Sequence, residues 1–403
     1  MRRARIVVAG AGVAGAIVAR GLAKRDDVEV ICLERVSSGA HGEAGTGLNV
    51  GPNAIKALAA VIPDLAETII AASLPWRRWT IDLTDGTPLF DLDLATVADN
   101  PGVRIRWAEL YRILREGVPV RYGIDVRAVE RQRSARVRVD GSGDGRSEWI
   151  DDVDLVIAAD GRYSHLRKEL VGLGTPMHLG ICMYRVLFPV GADCPIDDYG
   201  QWFNGPNRLL AFRVPGDLVY CAGTFPLEPP DAPVPEAMKD AETLRKLYWP
   251  ADAEPCGAAA FLIEAITSRV NEIHWARVQE DAIAFAAPGL PVLFVGDASH
   301  PLIPTLGQGA TQAVEDACAT IGAVAAALDA GAPLASVPMA IDAIRRERVR
   351  FVMNVSREAS DTMLAGADPV AGTLAKNGPD FRAKLARLYR DVPMPAASHW
   401  PVG

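Results

Sequence analysis

Three short segments carry residue types that can act together. Gly10-Ala11-Gly12-Val13-Ala14-Gly15 has the GxGxxG spacing, Asp160-Gly161-Arg162 closes one apolar run, and Gly296-Asp297-Ala298-Ser299-His300 closes another. In the first, Gly10 permits a tight turn, Gly12 lets the backbone approach a pyrophosphate, and Gly15 allows a helix to pack closely on a strand. Val13 and Ala14 open the helix whose N-terminus would hold that pyrophosphate. Glu34, with Arg35 beside it, stands where a carboxylate accepts hydrogen bonds from an adenosine ribose and disfavours a 2′-phosphate. The chemistry implied is dinucleotide binding. The chain has a single such fingerprint, so two dinucleotides cannot both have a site of this kind.

The elements that must position these residues follow from periodicity. Residues 4–10 are a β-branched apolar run, a helical pattern continues through Lys24, and 28–34 form a second strand, which together make a βαβ opening. Residues 154–161 and 291–297 read as buried parallel strands, each delivering a carboxylate to its C-terminal edge. The region 175–274 differs, with short strands at 184–189, 209–214 and 218–224 and a proline-rich loop at 226–235, and it predicts a second, antiparallel sheet. Residues 123–150, with their turn at Asp140-Gly141-Ser142-Gly143-Asp144-Gly145, predict a hairpin attached to the first domain. After Gly309 the pattern is mostly helical, and Arg345, Arg346, Arg348 and Arg350 read as a solvated helix face rather than an anion site.

Composition narrows the partners. A 403-residue chain with 49% hydrophobic and 23% charged residues supports one large or two medium domains. A net charge of −8 without a long Lys/Arg run argues against nucleic acid. The apolar stretch 317–328 is too short for the roughly 20 residues of a membrane span, and the early first strand leaves no room for a secretion signal. Six scattered cysteines (Cys32, Cys182, Cys194, Cys221, Cys256, Cys318) show neither a zinc spacing nor a disulfide framework, so a reduced cytoplasmic chain without a metal, monomeric or homodimeric, is expected.

In this order, the three motifs, followed by Pro304 and Gly307-Gln308-Gly309, resemble the class A flavoprotein aromatic hydroxylases, the para-hydroxybenzoate hydroxylase family. The resemblance runs from about residue 4 to 360. It implies an α/β fold: a Rossmann-like FAD-binding domain with a parallel sheet, interleaved with an antiparallel-sheet substrate domain and C-terminal helices. The FAD-binding parts would be 1–73, 100–174 and 275–365, the substrate parts 74–99 and 175–274, and 366–403 a C-terminal tail in which a helix near 379–390 either packs or swings free. Asp297 would bond a ribityl hydroxyl, and the turn 307–309 would present N–H groups at the N-terminus of the helix entered at Ala310 and Thr311, where a positive end stabilises electrons on the isoalloxazine. Asp160-Gly161 matches a motif associated with both FAD and the pyridine nucleotide. The segment Gly45-Thr46-Gly47-Leu48-Asn49-Val50-Gly51-Pro52-Asn53 resembles one passing close to the flavin, with Asn49 nearest the ring. Val126, Gly296, Pro304 and Gln308 complete the implied cofactor set. The family usually has an Arg directly before an Ala-Glu-Leu-like helix start; here Trp107 stands in that place and Arg106 one residue earlier.

The activity implied is monooxygenation: FAD reduced by NADH or NADPH as a transient co-substrate, capture of O2 as a flavin C4a-hydroperoxide, and hydroxylation of a small aromatic or N-heteroaromatic ring of phenol or hydroxypyridine type. The stretch 208–220 resembles relatives that place an Arg and a Tyr over the flavin, making Arg208 the substrate anchor and Tyr220 its polarising group, with Arg213 a rival anchor. Arg208 as a surface charge before an edge strand and Tyr220 as core remain open alternatives. Met183 and Arg185 would wall the pocket, Met183 equally as core filler. Thr305 stands where some relatives carry an acidic or imidazole base, which favours a substrate that arrives as, or easily becomes, a phenolate-like anion. His300 reads as structural. Two other readings stand beside this one. A flavin-dependent halogenase would carry a WxWxIP segment, which Trp76-Arg77-Arg78-Trp79 does not match; the other is a flavin- or NAD-binding protein that performs no oxygenation.

Overall fold

The computed structural model describes residues 2–39, 46–132, 136–143, 146–172 and 174–393. Gly45, Asp144 and Gly145, named in the sequence reading, lie outside them.

Ile6, Val7 and Val8 are all inaccessible to solvent, the pattern of a strand covered on both faces at the centre of a parallel sheet. This strand, β1 (Ala4–Ala9), pairs in parallel with β2 (Val28–Glu34) and β12 (Leu155–Ala158); β8 (Val120–Tyr122) extends the sheet beyond β2, and β18 (Val292–Phe294) beyond β12. Helix α1 (Val13–Leu22) joins β1 to β2, and β12 and β18 deliver Asp160 and Asp297 just past the sheet edge, as the sequence predicts. The turn before α1 is closed by contact. A Cβ on Gly15 would sit 1.9 Å from the carbonyl oxygen of Gly10, so the helix can approach the strand only with glycine there.

Two small antiparallel sheets flank this layer. One comprises β3 (Gly47–Val50), β7 (Gly102–Arg106) and β4 (Leu74–Trp76); the other β9 (Asp125–Arg131), β10 (Val137–Gly143) and β11 (Arg146–Val153), the last two forming the expected hairpin. The large second sheet runs in the order β17 (His274–Glu280), β13 (Met177–Pro189), β16 (Leu218–Pro226), β15 (Asn207–Val214), β14 (Tyr199–Asn204), β5 (Arg78–Leu83), β6 (Pro88–Asp93). All its neighbours are antiparallel except β14 and β5.

Alternation splits this sheet into two faces. Tyr184, Val186, Phe188, Leu209, Ala211, Val219 and Cys221 point to one side, where α6 (Ala241–Tyr248) and α7 (Gly257–Thr267) cover them with Leu244, Tyr248, Leu262 and Ile266. Their partners in the alternation, Met183, Arg208, Leu210, Phe212, Tyr220 and Ala222, face a cavity on the other side. The sequence reading of 175–274 as strands alone missed these two covering helices.

The remaining helices are α2 (Pro52–Val61), α3 (Pro63–Ala71), α4 (Trp107–Arg115), α5 (His165–Val171), α8 (Gln308–Asp329), α9 (Val337–Ser360), α10 (Pro369–Ala375) and α11 (Pro379–Arg390). Helix α11 packs: Phe381, Leu385, Leu388 and Tyr389 are buried, with Phe381 edge-on to Trp79 and Tyr389 edge-on to Trp76. Burial of this kind contributes roughly 1.5–3 kcal/mol per large apolar side chain. The arginine run corrects the sequence reading. Arg345 and Arg348 are buried and ion-paired to Glu315 on α8, Arg345 also to Asp316, while Arg346 and Arg350 pair with Asp342 and Glu347 of their own helix.

Candidate active site

A cavity of about 810 Å³ lies between the second sheet and the edge of the first domain. From the first domain it is lined by Gly47 and Asn49 of β3, Trp107 at the start of α4, Arg162, Asp297, and the run Pro304, Thr305, Gly307, Gly309 and Ala310 leading into α8.

The first-domain side is rich in unspent polar capacity. Helix α1 starts at Gly12 and α8 at Gly307, neither with a side-chain cap nor an acidic residue in its first turn. Two helix N-termini therefore keep their N–H groups and positive ends for other partners. Asn49 Nδ2 is buried without a hydrogen-bond partner. Asp297 is half-buried at the cavity wall, and burial raises its carboxyl above the ordinary range while Arg162 opposes the shift. Arg162 is fixed by donating to the carbonyls of Gln279 (3.1 Å) and Leu302 (2.7 Å). Glu34 accepts from the N–H of Ala11 (2.8 Å) and of Val36 (3.1 Å), and Arg115 lies 3.5 Å away; Arg35 is exposed. Asp160 sits against Gly10 outside the cavity lining; one oxygen accepts from the N–H of Leu166 at 3.3 Å, and the other is buried without a partner. Burial raises its carboxyl pKa.

Other residues of the sequence-derived set hold the frame. Gly296 donates its N–H to Asp316 at 2.8 Å, Thr311 accepts from the N–H of Gly51 and donates to the carbonyl of Gly307, and Gln308 is wholly buried. Val13 and Ala14 are buried in α1, and Val126 is buried in the core beneath the first sheet. Arg106 ends β7 with a buried, unpartnered Nε; Trp107, not Arg106, lines the cavity.

The second-sheet side is aromatic with one cation at its centre. Tyr199 stacks on Phe212 at 5.7 Å, and Phe212 meets Tyr220 at 4.9 Å. Arg208, between Phe203 and Thr224 in the sheet, is 4% exposed and has no ion-pair partner among the described residues. Burial lowers its pKa, opposed by the neighbouring phenols of Tyr199 and Tyr220. Burial pushes the Tyr220 hydroxyl up to about 12, with Arg185 working against it. Arg185 is an exposed cavity residue, and Met183 lines the wall. Thr305 Oγ lies 2.6 Å from Ser360 Oγ, which itself donates to the Ser356 carbonyl. Arg213 does not line the cavity; it reaches Asp217 at 3.3 Å, because the alternation along β15 that points 208, 210 and 212 inward turns 213 away. His300 is buried at 2.6 Å from Asp316.

Sequence reasoning missed Tyr199, Trp107, Arg162 and Arg115 as residues of this region. Arg162 carried a signal in its place directly after Asp160-Gly161, and Trp107 in its place at the family's usual Arg position, although neither was given a role.

No protein-family model matches the chain. Among curated proteins, it is 31% identical to 3-amino-4-hydroxybenzoate 2-monooxygenase PtmB3 of Streptomyces platensis, over 88% of this chain and 87% of that one. It is 28% identical to 6-hydroxynicotinate 3-monooxygenase of Pseudomonas fluorescens, over 77% and 80% of the two chains. Among solved structures, HpxO of Klebsiella pneumoniae, crystallised with FAD and uric acid, shares the fold with a TM-score of 0.78 over 97% of both chains at 22% identity. The chain belongs to the class A flavoprotein monooxygenases, the FAD-dependent aromatic hydroxylases. It is accordingly an FAD enzyme that draws electrons from NAD(P)H and hydroxylates an aromatic or heteroaromatic ring. That membership sets aside the halogenase and the non-oxygenating readings. Among the described residues, no helix is long and apolar enough to cross a membrane.

Proposed function

We propose that the ring hydroxylated here is a small phenol or hydroxypyridine bearing an anionic group, and that this group pairs with Arg208. The observation that carries this reading is the buried, unpaired guanidinium in an aromatic-walled cavity. A cation taken out of water without a partner is costly, and the cost is recovered when a carboxylate or phenolate arrives. The relatives named above act on a hydroxybenzoate and a hydroxynicotinate, each an oxygenated ring with a carboxylate.

FAD fits the unspent polar groups of the first domain. Gly10, Gly12, Val13, Ala14 and Gly15 would carry its pyrophosphate on α1, Glu34 its adenosine ribose, and Asp297 a ribityl hydroxyl. Asn49, Gly307, Gly309 and Ala310 would border its ring, with the bare end of α8 favouring negative charge there. Bound FAD supplies the electron transfer from NAD(P)H to O2 and, through it, the oxygen atom added to the ring. The protein's own task is orientation and polarisation. Tyr220, protonated across the neutral range, donates its O–H to the substrate's ring oxygen, fixes the ring's orientation and stabilises that oxygen in its ionised form, the form whose ring is electron-rich. Thr305 offers no base, so the ring oxygen binds as a phenolate-like anion or gives its proton to solvent before the site closes around it. Met183, Leu210 and Phe212 exclude water around the ring. We place the reaction in the cytoplasm, where NAD(P)H is supplied and where the six free cysteines stay reduced.

The test is NAD(P)H oxidation in air by the flavin-loaded protein with matched rings, for example 4-hydroxybenzoate against phenol and 6-hydroxynicotinate against 2-hydroxypyridine. The anionic member should accelerate oxidation and yield a product heavier by one oxygen. Equal acceleration by the neutral members would overturn the reading.

A further inference from the structure

Three segments that border the cavity converge on one guanidinium. Arg345 of α9 is completely buried and donates to three side chains of α8: Nε to Asp316 at 2.8 Å, Nη1 to Glu315 at 2.5 Å and Nη2 to Gln312 at 2.6 Å. Each of the three continues to a residue near one that lines the cavity. Asp316 accepts the N–H of Gly296, next to Asp297, at 2.8 Å. Glu315 accepts from Asn53 Nδ2 at 2.6 Å, just beyond the strand that presents Asn49. Gln312 donates to Gln308 at 3.0 Å, and Gln308 donates to the carbonyl of Leu306, a non-glycine residue at φ +66° beside Gly307.

Charge is balanced as closely as geometry. Arg345 and Arg348 face Glu315 and Asp316, two arginines against two carboxylates with the His300 ring also 2.6 Å from Asp316, at the far ends of the same turns that meet the cavity. Nothing in this cluster reaches the cavity itself; it acts through the backbone of Gly296 and Leu306 and through Asn53. Buried charges paired with one another fix the elements that carry them, and any imbalance among them is felt at range because little water screens it.

We propose that Arg345 is a positioning residue of the flavin site, which sets both the register of its three bordering turns and the net charge that a bound flavin ring experiences. This rests on the assignment of FAD to these turns. Reduction adds negative charge to the ring, so loss of Arg345 leaves an uncompensated anion nearby and disfavours the reduced form. Loss of Glu315 leaves an uncompensated cation and favours it. A merely structural ion pair predicts lower stability for both variants and no opposite signs.

The experiment is the midpoint potential of bound FAD, by dye equilibration at neutral pH, in Arg345→Met, Arg345→Lys, Glu315→Gln and Asp297→Ala, with FAD affinity measured alongside. Arg345→Met is expected to lower the potential by about 30 mV or more, the equivalent of reduced FAD binding tenfold more weakly relative to oxidised FAD. Arg345→Lys should recover most of that shift, and Glu315→Gln should move the potential upward. If Arg345→Met does not fold, the sign of the Glu315→Gln shift decides. Potentials unchanged in both charge variants, with only the melting temperature lowered, overturn the positioning role. If Asp297→Ala also leaves FAD affinity and potential unchanged, the placement of FAD at these turns fails instead.

Discussion

Gly47 and Tyr220 touch across the boundary between the two sheets: a Cβ on Gly47 would lie 2.5 Å from the Cβ of Tyr220 and 3.1 Å from Val214 Cγ1. Strand β3 is thus pressed onto β16 at the residue proposed to polarise the substrate. Gly47→Ala should push Tyr220 off its position. Steady-state kinetics should show kcat/KM for the ring falling by about 10-fold or more, in line with the cost of small misplacements. FAD affinity, measured by fluorescence titration, should change less than threefold; a larger loss there would mean β3 serves the cofactor rather than Tyr220.

Arg208 separates binding from stability. Replacing it with Met removes a buried cation that has no partner among the described residues, so thermal unfolding without substrate should occur no lower than in the wild type. Affinity for an anionic ring should nevertheless drop by about 100-fold, roughly 2.7 kcal/mol. A variant that melts much earlier would show Arg208 to be a structural residue.

Tyr220 should behave as a donor, not as a base. Its hydroxyl is held near 12 by burial, so it stays protonated from pH 6 to 9.5, and the ratio of wild-type to Tyr220→Phe kcat/KM should be flat over that range. Because the folded value lies above the unfolded one near 10, the stability linked to this group is complete below pH 10 and is lost as pH rises toward 12. A ratio that grows with pH between 7 and 9 would assign the tyrosine an ionising role.

Acid should unlock the helix pair α8 and α9. Burial alone would raise the Glu315 carboxyl, but Arg345 and Arg348 outweigh it and hold it at about 2. A depressed value means stability that is present above about 4.5 and is lost as pH falls toward 2, on the order of 3 kcal/mol for this group. Equilibrium urea unfolding at pH 6, 4 and 3 should show the wild type losing more stability than Glu315→Gln. Parallel losses would place the acid sensitivity elsewhere.

How far these features were legible in the sequence depended on whether the signal was local. The strand ends at Asp160 and Asp297 announce themselves because an apolar run stops at an acid and a glycine, and the α1 turn because three glycines keep a fixed spacing. The arginines of α9 mislead: 345, 346, 348 and 350 look alike in sequence, yet only 345 and 348 face α8, and their partners lie some thirty positions earlier. Strand β14, which brings Tyr199 to the cavity, is short and enclosed by Pro195 and Gly205; only pairing with β15 and with the distant β5 makes it a strand. Helix α11 gave a helical pattern without a destination, since the surface it covers belongs to Trp76 and Trp79.

The two main sheets are each completed by strands far apart along the chain. Val292–Phe294 closes one edge of the first, and β5 joins β14 of the second across about 120 residues. During synthesis, the parallel sheet is therefore left with the β12 edge bare until Val292–Phe294 has emerged, more than 130 residues after β12, a state prone to wrong pairing. Neither sheet can be transplanted as a contiguous cassette, so recombination with a relative should yield working chimaeras only when the crossovers exchange loops and leave both sets of strands with their original partners.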